Sequence, residues 1–192
     1  MFGKLFGKKD EAQRGDDQVW THSAARLTGL ARETAKHLDD GRSVLIVALD
    51  LNALESLSMT LAERQPARST DAFTKGAVET VLREKGKLTI ALASALPAGA
   101  SRIDAPHRVE ILVHGRHLVR DPDDALCRFA DVHGDRVRIT FHLAFDDALL
   151  AKHSQNIMPI LEKLGVKDDE AITSGMVTRA IAGAQAKNKA GQ

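Results

Sequence analysis

Hydrophobic positions along the chain switch repeatedly between two patterns. From Trp20 onward, Leu27, Leu30, Ala31, Thr34 and Leu38 recur at the spacing of one helix face, and Gly41 ends the run. Ser43 to Leu49 is then apolar without alternation, the pattern of a strand covered on both faces, as in a parallel sheet. Asp50 or Asn52 can cap the following helix, whose Leu54, Leu57, Ser58 and Leu61 share a face before Pro66 and a polar stretch to Thr70. A further helix is expected over about 71–85, leading through Gly86 into a strand at Leu88–Leu92. Residues 93–107, rich in Ala, Gly, Pro and Ser, read as a loop before a strand at Val109–Val113. Asp121, Pro122 and two further acids have the composition of a helix start, with Asp121 as the cap. Gly134-Asp135 then turns the chain into a strand at Val137–Leu143. Two helices, about 146–164 and 170–187, are expected on either side of Gly165, with Asp146 and Asp147 as capping and first-turn acids of the first. Strands alternating with helices predict an α/β fold, a three-layer arrangement with a mostly parallel sheet flanked by helices.

This pattern divides the chain into a polar tail over 1–18, one domain over 19–187 and a short tail over 188–192. At 192 residues and 43% hydrophobic, the domain needs no disulfide or metal staple, and the single cysteine, Cys127, excludes an internal disulfide. No apolar run approaches the roughly 20 residues of a spanning helix, and the start lacks the apolar stretch of a signal peptide. A cytoplasmic protein is therefore expected, with peripheral contact at the inner face of the membrane as an option of the tail. There Phe2, Leu5 and Phe6 have the spacing of one helix face, and Lys4, Lys8 and Lys9 add charge that could meet anionic lipid; the competing reading is a solvated tail. A formal net charge of +1 gives no global basic field, and six Phe with one Trp offer little for base stacking, so no nucleic-acid partner is expected.

Signatures of common chemistry are absent. There is no Gly-x-x-x-x-Gly-Lys-Ser/Thr, no Gly-x-Gly-x-x-Gly and no Gly-x-Ser-x-Gly. His114 and His117 would need further ligands to hold a metal, and Asp121, Asp123 and Asp124 are explained by the helix start, so no metal or cofactor is expected. Cys127 falls within an amphipathic helix and reads as a packed side chain.

The C-terminal third carries a more specific signal. Phe141-His-Leu-Ala-Phe-Asp-Asp-Ala-Leu-Leu150, Lys163-Leu-Gly-Val-Lys-Asp-Asp-Glu-Ala-Ile172 and Met176-Val-Thr-Arg-Ala-Ile-Ala-Gly-Ala-Gln-Ala-Lys187 resemble the end of the second nucleotide-binding domain of the SecA preprotein-translocase motor ATPases. That family runs there as Phe-Tyr-Leu-Ser-Met-Glu-Asp-Ala-Leu, Leu-Gly-Met, Glu-Ala-Ile and Val-Thr-Lys-Ala-Ile-x-x-Ala-Gln. Upstream, Gly41-Arg-Ser-Val-Leu-Ile-Val47, Thr89-Ile-Ala91 and Gly115-Arg-His117 are similar to its Gly-x-Pro-Val-Leu-Val, Thr-Ile-Ala and Glu-Arg-His. The resemblance implies a RecA-like, helicase C-terminal half-domain without a P-loop.

The departures bear on function. The family's Thr-Asn-Met-Ala-Gly-Arg-Gly-Thr-Asp loop is replaced by Leu92-Ala-Ser-Ala-Leu-Pro-Ala-Gly-Ala100. Where the family has Gln-Leu-Arg-Gly-Arg-Ser-Gly-Arg-Gln-Gly-Asp, whose arginines reach nucleotide phosphates, stands Ala125-Leu-Cys-Arg-Phe-Ala-Asp-Val-His-Gly-Asp135, with Arg128 one position from a family arginine. Loss of a phosphate-directed arginine costs roughly 10³–10⁵ in NTP hydrolysis. The expectation is a non-catalytic SecA-like domain acting as an interaction or regulatory module linked to protein translocation, not an enzyme. Its expected partner is a protein: a second copy, a translocase motor or an envelope complex. The alternatives are a nucleotide- or ligand-sensing domain, with Arg116, His117 and Arg120 at the C-terminal ends of the strands, and one half of a split motor.

Overall fold

The computed structural model describes residues 11–71, 75–96, 102–151, 154, 159, 163, 165, 167, 169–173 and 175–190. Its strands are β1 (Gln13–Arg14), β2 (Gln18–Trp20), β3 (Ser43–Ala48), β4 (Ala67–Ser69), β5 (Leu88–Leu92), β6 (Val109–His114), β7 (Val137–Ala144) and β8 (Ile172–Thr173). Its helices are α1 (Ser23–Asp39), α2 (Leu51–Thr60), α3 (Lys75–Arg83), α4 (Arg120–Val132) and α5 (Gly175–Ala190). The strands form one sheet in the order β4-β5-β3-β6-β7-β2-β8, with β1 also paired to β7. Pairing is parallel except between β2 and β8.

Alternation along the central strands splits the core into two layers. Val44, Ile46 and Ala48 of β3, with Ile90 of β5 and Leu112 of β6, meet Leu30 of α1 and Leu54 and Leu57 of α2. Leu45 and Val47, with Ile111, Val113, Ile139 and Phe141, meet Val78 and Leu82 of α3, Leu126 and Phe129 of α4 and Ile181 of α5. This is the expected three-layer α/β arrangement, and the continuous apolar runs are explained by helices on both faces. Asp50 caps α2 as expected, accepting from Ala53 N at 2.8 Å.

Several expectations at the edges are corrected. Residues 12–18 belong to the fold: β1 and β2 run along β7, and Ala12 and Asp17 are buried. These strands were masked by polar side chains on a sheet margin; residues 1–10, with Phe2, Lys4, Leu5, Phe6, Lys8 and Lys9, lie outside the described residues. The stretch read as polar up to Thr70 contains β4, an edge strand. Helix α4 begins at Arg120 with Val119 as its cap residue, so Asp121 is in its first turn rather than at the cap. Residues 145–150 form turns rather than the first helical turns of a 146–164 segment, most of which lies outside the described residues. There Asp146 accepts from Ser23 N at 3.1 Å and Ser23 Oγ at 2.8 Å, and Asp147 accepts from Arg26 at 2.6 and 2.8 Å. Both acids hold the start of α1, with His22, whose Nδ1 accepts from Ala25 N. The last helix starts later than expected because Ile172–Thr173 pairs with β2, and it runs through 188–190, which had read as tail.

Trp20 and Gly29 meet at a close approach that only glycine allows. A Cβ at Gly29 would lie 1.9 Å from Trp20 Cη2. Gly29→Ala in an open helix would gain about 1 kcal/mol of helix propensity. Here it is expected to lose ~1–3 kcal/mol through overpacking, readable as a lower midpoint in urea denaturation.

Below Trp20, His142 is fully buried, accepting from Trp20 Nε1 at 3.4 Å, with its Nε2 3.6 Å from Glu33. Burial lowers His142 to about 4, partly opposed by Glu33 and reinforced by Arg26. His114 is lowered to about 3, first by burial and then by Arg26 and His142. Both histidines are neutral in the fold, whereas the unfolded chain protonates them below about 6.5. Stability is therefore full above pH ~6.5 and is lost as pH falls toward 4, by about 3 kcal/mol for His142 alone. The thermal midpoint followed from pH 7.5 to 4 is expected to drop through this window, and His142→Asn should flatten the drop.

Candidate functional site

The strand row formed by β1 and β2 is interrupted where it matters. Arg14 pairs with Ile139 and Gln18 with His142, so residues 15–17 stand opposite only Thr140 and Phe141. This extra residue is a bulge, the device that redirects a side chain at a sheet margin. Gly15 permits it, since a Cβ there would lie 2.2 Å from Thr140 Oγ1. The result is that Asp17 is buried, with 1% of its surface exposed, at the C-terminal end of β6.

Arg116 follows β6 and meets that carboxylate. Its Nη2 and Nε donate to Asp17 Oδ1 at 2.6 and 3.1 Å, and its Nη1 donates to Asp123 Oδ2 at 3.2 Å. The guanidinium lies over Phe141, with Cζ 3.7 Å from the ring centroid. Asp123 is equally buried and accepts from His117 N at 3.1 Å and Gln185 Nε2 at 2.7 Å, while His117 Nδ1 lies 2.7 Å from its Oδ1. Gln185 also donates to His117 O at 2.8 Å, and Asn188 donates to Leu118 O at 3.0 Å. Burial opposes the Asp123 charge, but the hydrogen bonds from His117 and Gln185 and the Arg116 charge outweigh it, and its carboxyl lies below the ordinary range. One network thus joins the bulge, the loop after β6, the first turn of α4 and the helix α5.

A cleft of about 580 Å³ opens beside this network, between α4, α5 and the bulge. Its floor is Ile139, Phe141 and Ile181, and its walls carry Arg14, Arg120, Arg128, Asp16, Asp124 and Asp131. Arg14 pairs with Asp131 at 2.6 Å and Arg120 with Asp124 at 3.2 Å. Arg128 is exposed and has no ion pair among the described residues. Cys127 lines the same wall, and burial pushes its thiol up, which disfavours the reactive thiolate.

The residues singled out from sequence divide. Arg116, His117 and Arg120 do follow the C-terminal end of β6. Arg116 and His117 are members of the buried network, and Arg120 alone of the three is mainly exposed. Asp123, read as a first-turn acid, is the centre of that network. Among the described residues no group of three or more His, Cys, Asp or Glu side chains could hold a metal ion. Sequence reasoning missed Asp17 and Gln185. Asp17 gave no signal, since it sits in a polar Gly-Asp-Asp run. Gln185 did, as the last residue of the matched Ala-Gln pair: three of the residues shared with the SecA pattern, Arg116, His117 and Gln185, meet around one carboxylate.

Comparison with known proteins agrees with that pattern. No protein-family model matches the chain. The chain is 28% identical over 189 residues to the protein translocase subunit SecA of Desulfotalea psychrophila, covering 89% of this chain and 21% of that protein. It is 29% identical over 183 residues to the SecA of Clostridium botulinum, covering 89% and 22%. A shorter stretch of 83 residues is 39% identical to the SecA of Desulfovibrio desulfuricans. The chain spans about a fifth of the length of these relatives. Among solved structures, the C-terminal part of the Fun30 ATPase domain matches with a TM-score of 0.50 at 12% identity, covering 84% of this chain and 54% of that one. T4 UvsW matches with a TM-score of 0.50 at 13% identity, covering 73% and 33%. The chain therefore carries a SecA-like domain with the RecA-like fold of helicase C-terminal domains.

The network and the cleft wall differ in burial, and so in what their removal costs. Asp123→Ala leaves Arg116 and His117 short of a buried partner and is expected to cost about 3–5 kcal/mol. Asp124→Ala breaks only the exposed pair with Arg120 and is expected to cost less than ~1 kcal/mol. Urea denaturation of the two variants measures the contrast.

Proposed function

We propose that this SecA-like domain is a non-catalytic docking module that uses the cleft beside α4 to engage a protein partner in protein translocation. One observation carries the reading: the cleft's arginines are answered by carboxylates. Arg116 faces Asp17 and Asp123, Arg14 faces Asp131 and Arg120 faces Asp124, which leaves Arg128 alone to meet a polyphosphate. Nucleotide phosphates need several uncompensated donors and a glycine-rich backbone cradle, and among the described residues the cleft wall offers one arginine without a carboxylate partner. A charge-balanced rim around an apolar floor suits a protein surface instead, where arginine is a favoured contact and paired rim charges set orientation.

The SecA likeness supports the choice of partner. In a two-lobed motor, a domain of this kind works by pressing against a second nucleotide-binding lobe. A SecA-like domain brings such a surface, and no P-loop signature lies within this sequence. The partner we favour is a translocase motor of the SecA kind, ahead of a second copy of this chain or another envelope complex.

Calorimetric titration of the full chain with ATP and ADP is expected to give no heat up to millimolar nucleotide, and purified SecA from the same organism is expected to bind. Arg128→Glu with Asp131→Arg should weaken that binding at least tenfold without altering the far-UV circular dichroism. Micromolar nucleotide affinity would overturn the reading in favour of a nucleotide-sensing domain. Unaltered SecA binding by the double variant would remove the cleft from it.

A further inference from the structure

A cation stands immediately before each of four neighbouring strands. Lys87 precedes β5, Arg42 precedes β3, Arg108 precedes β6 and Arg136 precedes β7. The sheet order β5-β3-β6-β7 makes them adjacent. Backbone hydrogen bonds hold them level: Val44 N donates to Lys87 O at 2.8 Å, Ser43 N to Arg108 O at 3.2 Å and Val109 N to Arg136 O at 3.0 Å. One step into the sheet, Glu110 stands opposite Val44 on one side and Arg138 on the other, and Arg138 stands opposite Gln13 of β1. Val44 and Leu112 belong to the layer under α1 and α2, so alternation puts Arg42, Arg108, Glu110, Arg136 and Arg138 on that same face.

This corner of the face is open. A recess of about 440 Å³ over it is lined by residues of β1, β6 and β7 and of the segments before β3, β6 and β7, and by none of a helix. A parallel sheet normally has both faces covered. An adjoining recess of about 420 Å³ shares Arg42, His107 and Arg108. Together the two hold five cations, Lys85, Arg42, Arg108, Arg136 and Arg138, against three carboxylates. Two of the three, Glu110 and Asp40, lie 2.6 and 3.7 Å from Arg42. That leaves Asp135 to set against Lys85, Arg108, Arg136 and Arg138, which are exposed and have no carboxylate partner among the described residues. Arg136 donates to Pro106 O, whereas the side chains of Arg108 and Arg138 make no hydrogen bond among the described residues.

The unanswered charge is spread out rather than focused. Neighbouring strands are about 4.8 Å apart, and Arg136 and Arg138, two residues apart on one chain, are separated by about 6.7 Å. The C-termini of α1 and α4 lie at this end, and their dipoles oppose a concentrated charge such as a polyphosphate. Single carboxylates about 6.7 Å apart are what one face of an extended acidic segment presents. An arginine fork takes each of them through two parallel hydrogen bonds. Nucleic acid is served less well, because no Phe or Trp lines either recess for bases to stack on. We propose that this open corner of the sheet, through Arg108, Arg136 and Arg138, is a docking surface for an extended acidic segment of a partner protein.

The surface is on the opposite face of the sheet from the cleft, whose floor is Ile139, Phe141 and Ile181, and it does not depend on what that cleft binds. Its test is fluorescence anisotropy of a labelled octaglutamate peptide titrated with the full chain, with octaglutamine and octalysine as controls. Saturable binding of octaglutamate only is expected at 0.05 M salt, and it should weaken as salt is raised to 0.5 M. Arg108→Glu with Arg138→Glu should weaken it by roughly tenfold or more, since each reversal removes a pair worth up to about fivefold and adds repulsion. Arg108→Gln with Arg138→Gln should give an intermediate loss. Arg179→Glu with Lys187→Glu makes the same change of charge on α5, on the other face, and should have a much smaller effect because salt limits its reach. Thermal melts of all three variants should match the parent, because the substituted side chains are exposed. Four results would overturn the proposal: no saturable binding of octaglutamate, an Arg108 and Arg138 reversal that binds like the parent, an equal loss in the α5 variant, or displacement of the labelled peptide by a DNA duplex or tripolyphosphate at a lower concentration of charge than by unlabelled octaglutamate.

Discussion

A guanidinium taken out of water must be met by carboxylate, and the way Arg116 is met determines how the outer half of this domain holds together. Asp17 comes from a bulged margin strand, Asp123 from the first turn of α4, and Phe141 from the middle of β7. Removing either carboxylate would leave charge uncompensated in a low-dielectric setting, so the margin strand and α4 are held to Arg116 by the cost of separation more than by the net worth of each pair. Gln185 and His117 extend the tie to α5 by satisfying the lone pairs of Asp123 that Arg116 does not reach. Three residues that match the SecA pattern, Arg116, His117 and Gln185, thus join the bulge, α4 and α5 around one carboxylate.

Charge is distributed very differently at the two ends of the sheet. At the C-terminal end it is paired: Arg116 meets two buried carboxylates, of whose oxygens only Asp17 Oδ2 stays without a hydrogen-bond partner, and the cleft beside them has carboxylates facing its arginines. At the N-terminal end, Lys87, Arg42, Arg108 and Arg136 stand in a row with fewer acids to answer them. A nearly neutral chain can therefore present one balanced surface and one basic one. Parallel topology is what makes this possible, because β5, β3, β6 and β7 all begin at the same edge and a residue type repeated before each of them becomes a line in space.

Much of the interior was legible because burial on two faces leaves a direct mark in the residue pattern. The runs at Ser43–Ala48 and Leu88–Leu92 read as strands, the first with the pattern of burial on both faces, and the spacing of Leu27, Leu30 and Thr34 read as one face of a helix. The margins were not legible. The two-residue strands at Gln13–Arg14 and Ile172–Thr173 are too short for a period, and β4 is an edge strand with two of its three residues exposed. Asp146 and Asp147 had the composition of a helix start and do bind one, Asp146 at Ser23 N and Asp147 at the Arg26 side chain, but it is that of α1, more than a hundred residues earlier in the chain.

By itself the sequence determined the layer order, the mostly parallel sheet, the likeness to SecA and the missing nucleotide signatures, because each rests on local period or on residues matched in order. Tertiary structure decided which polar residues act together. Asp17, Arg116, Asp123 and Gln185 are spread over 169 positions, and nothing in their neighbours marks them as partners. The row of cations likewise exists only once four separate strands lie side by side. A pairing between distant charges is selected by the packing that removes them from water, and that packing belongs to the folded chain.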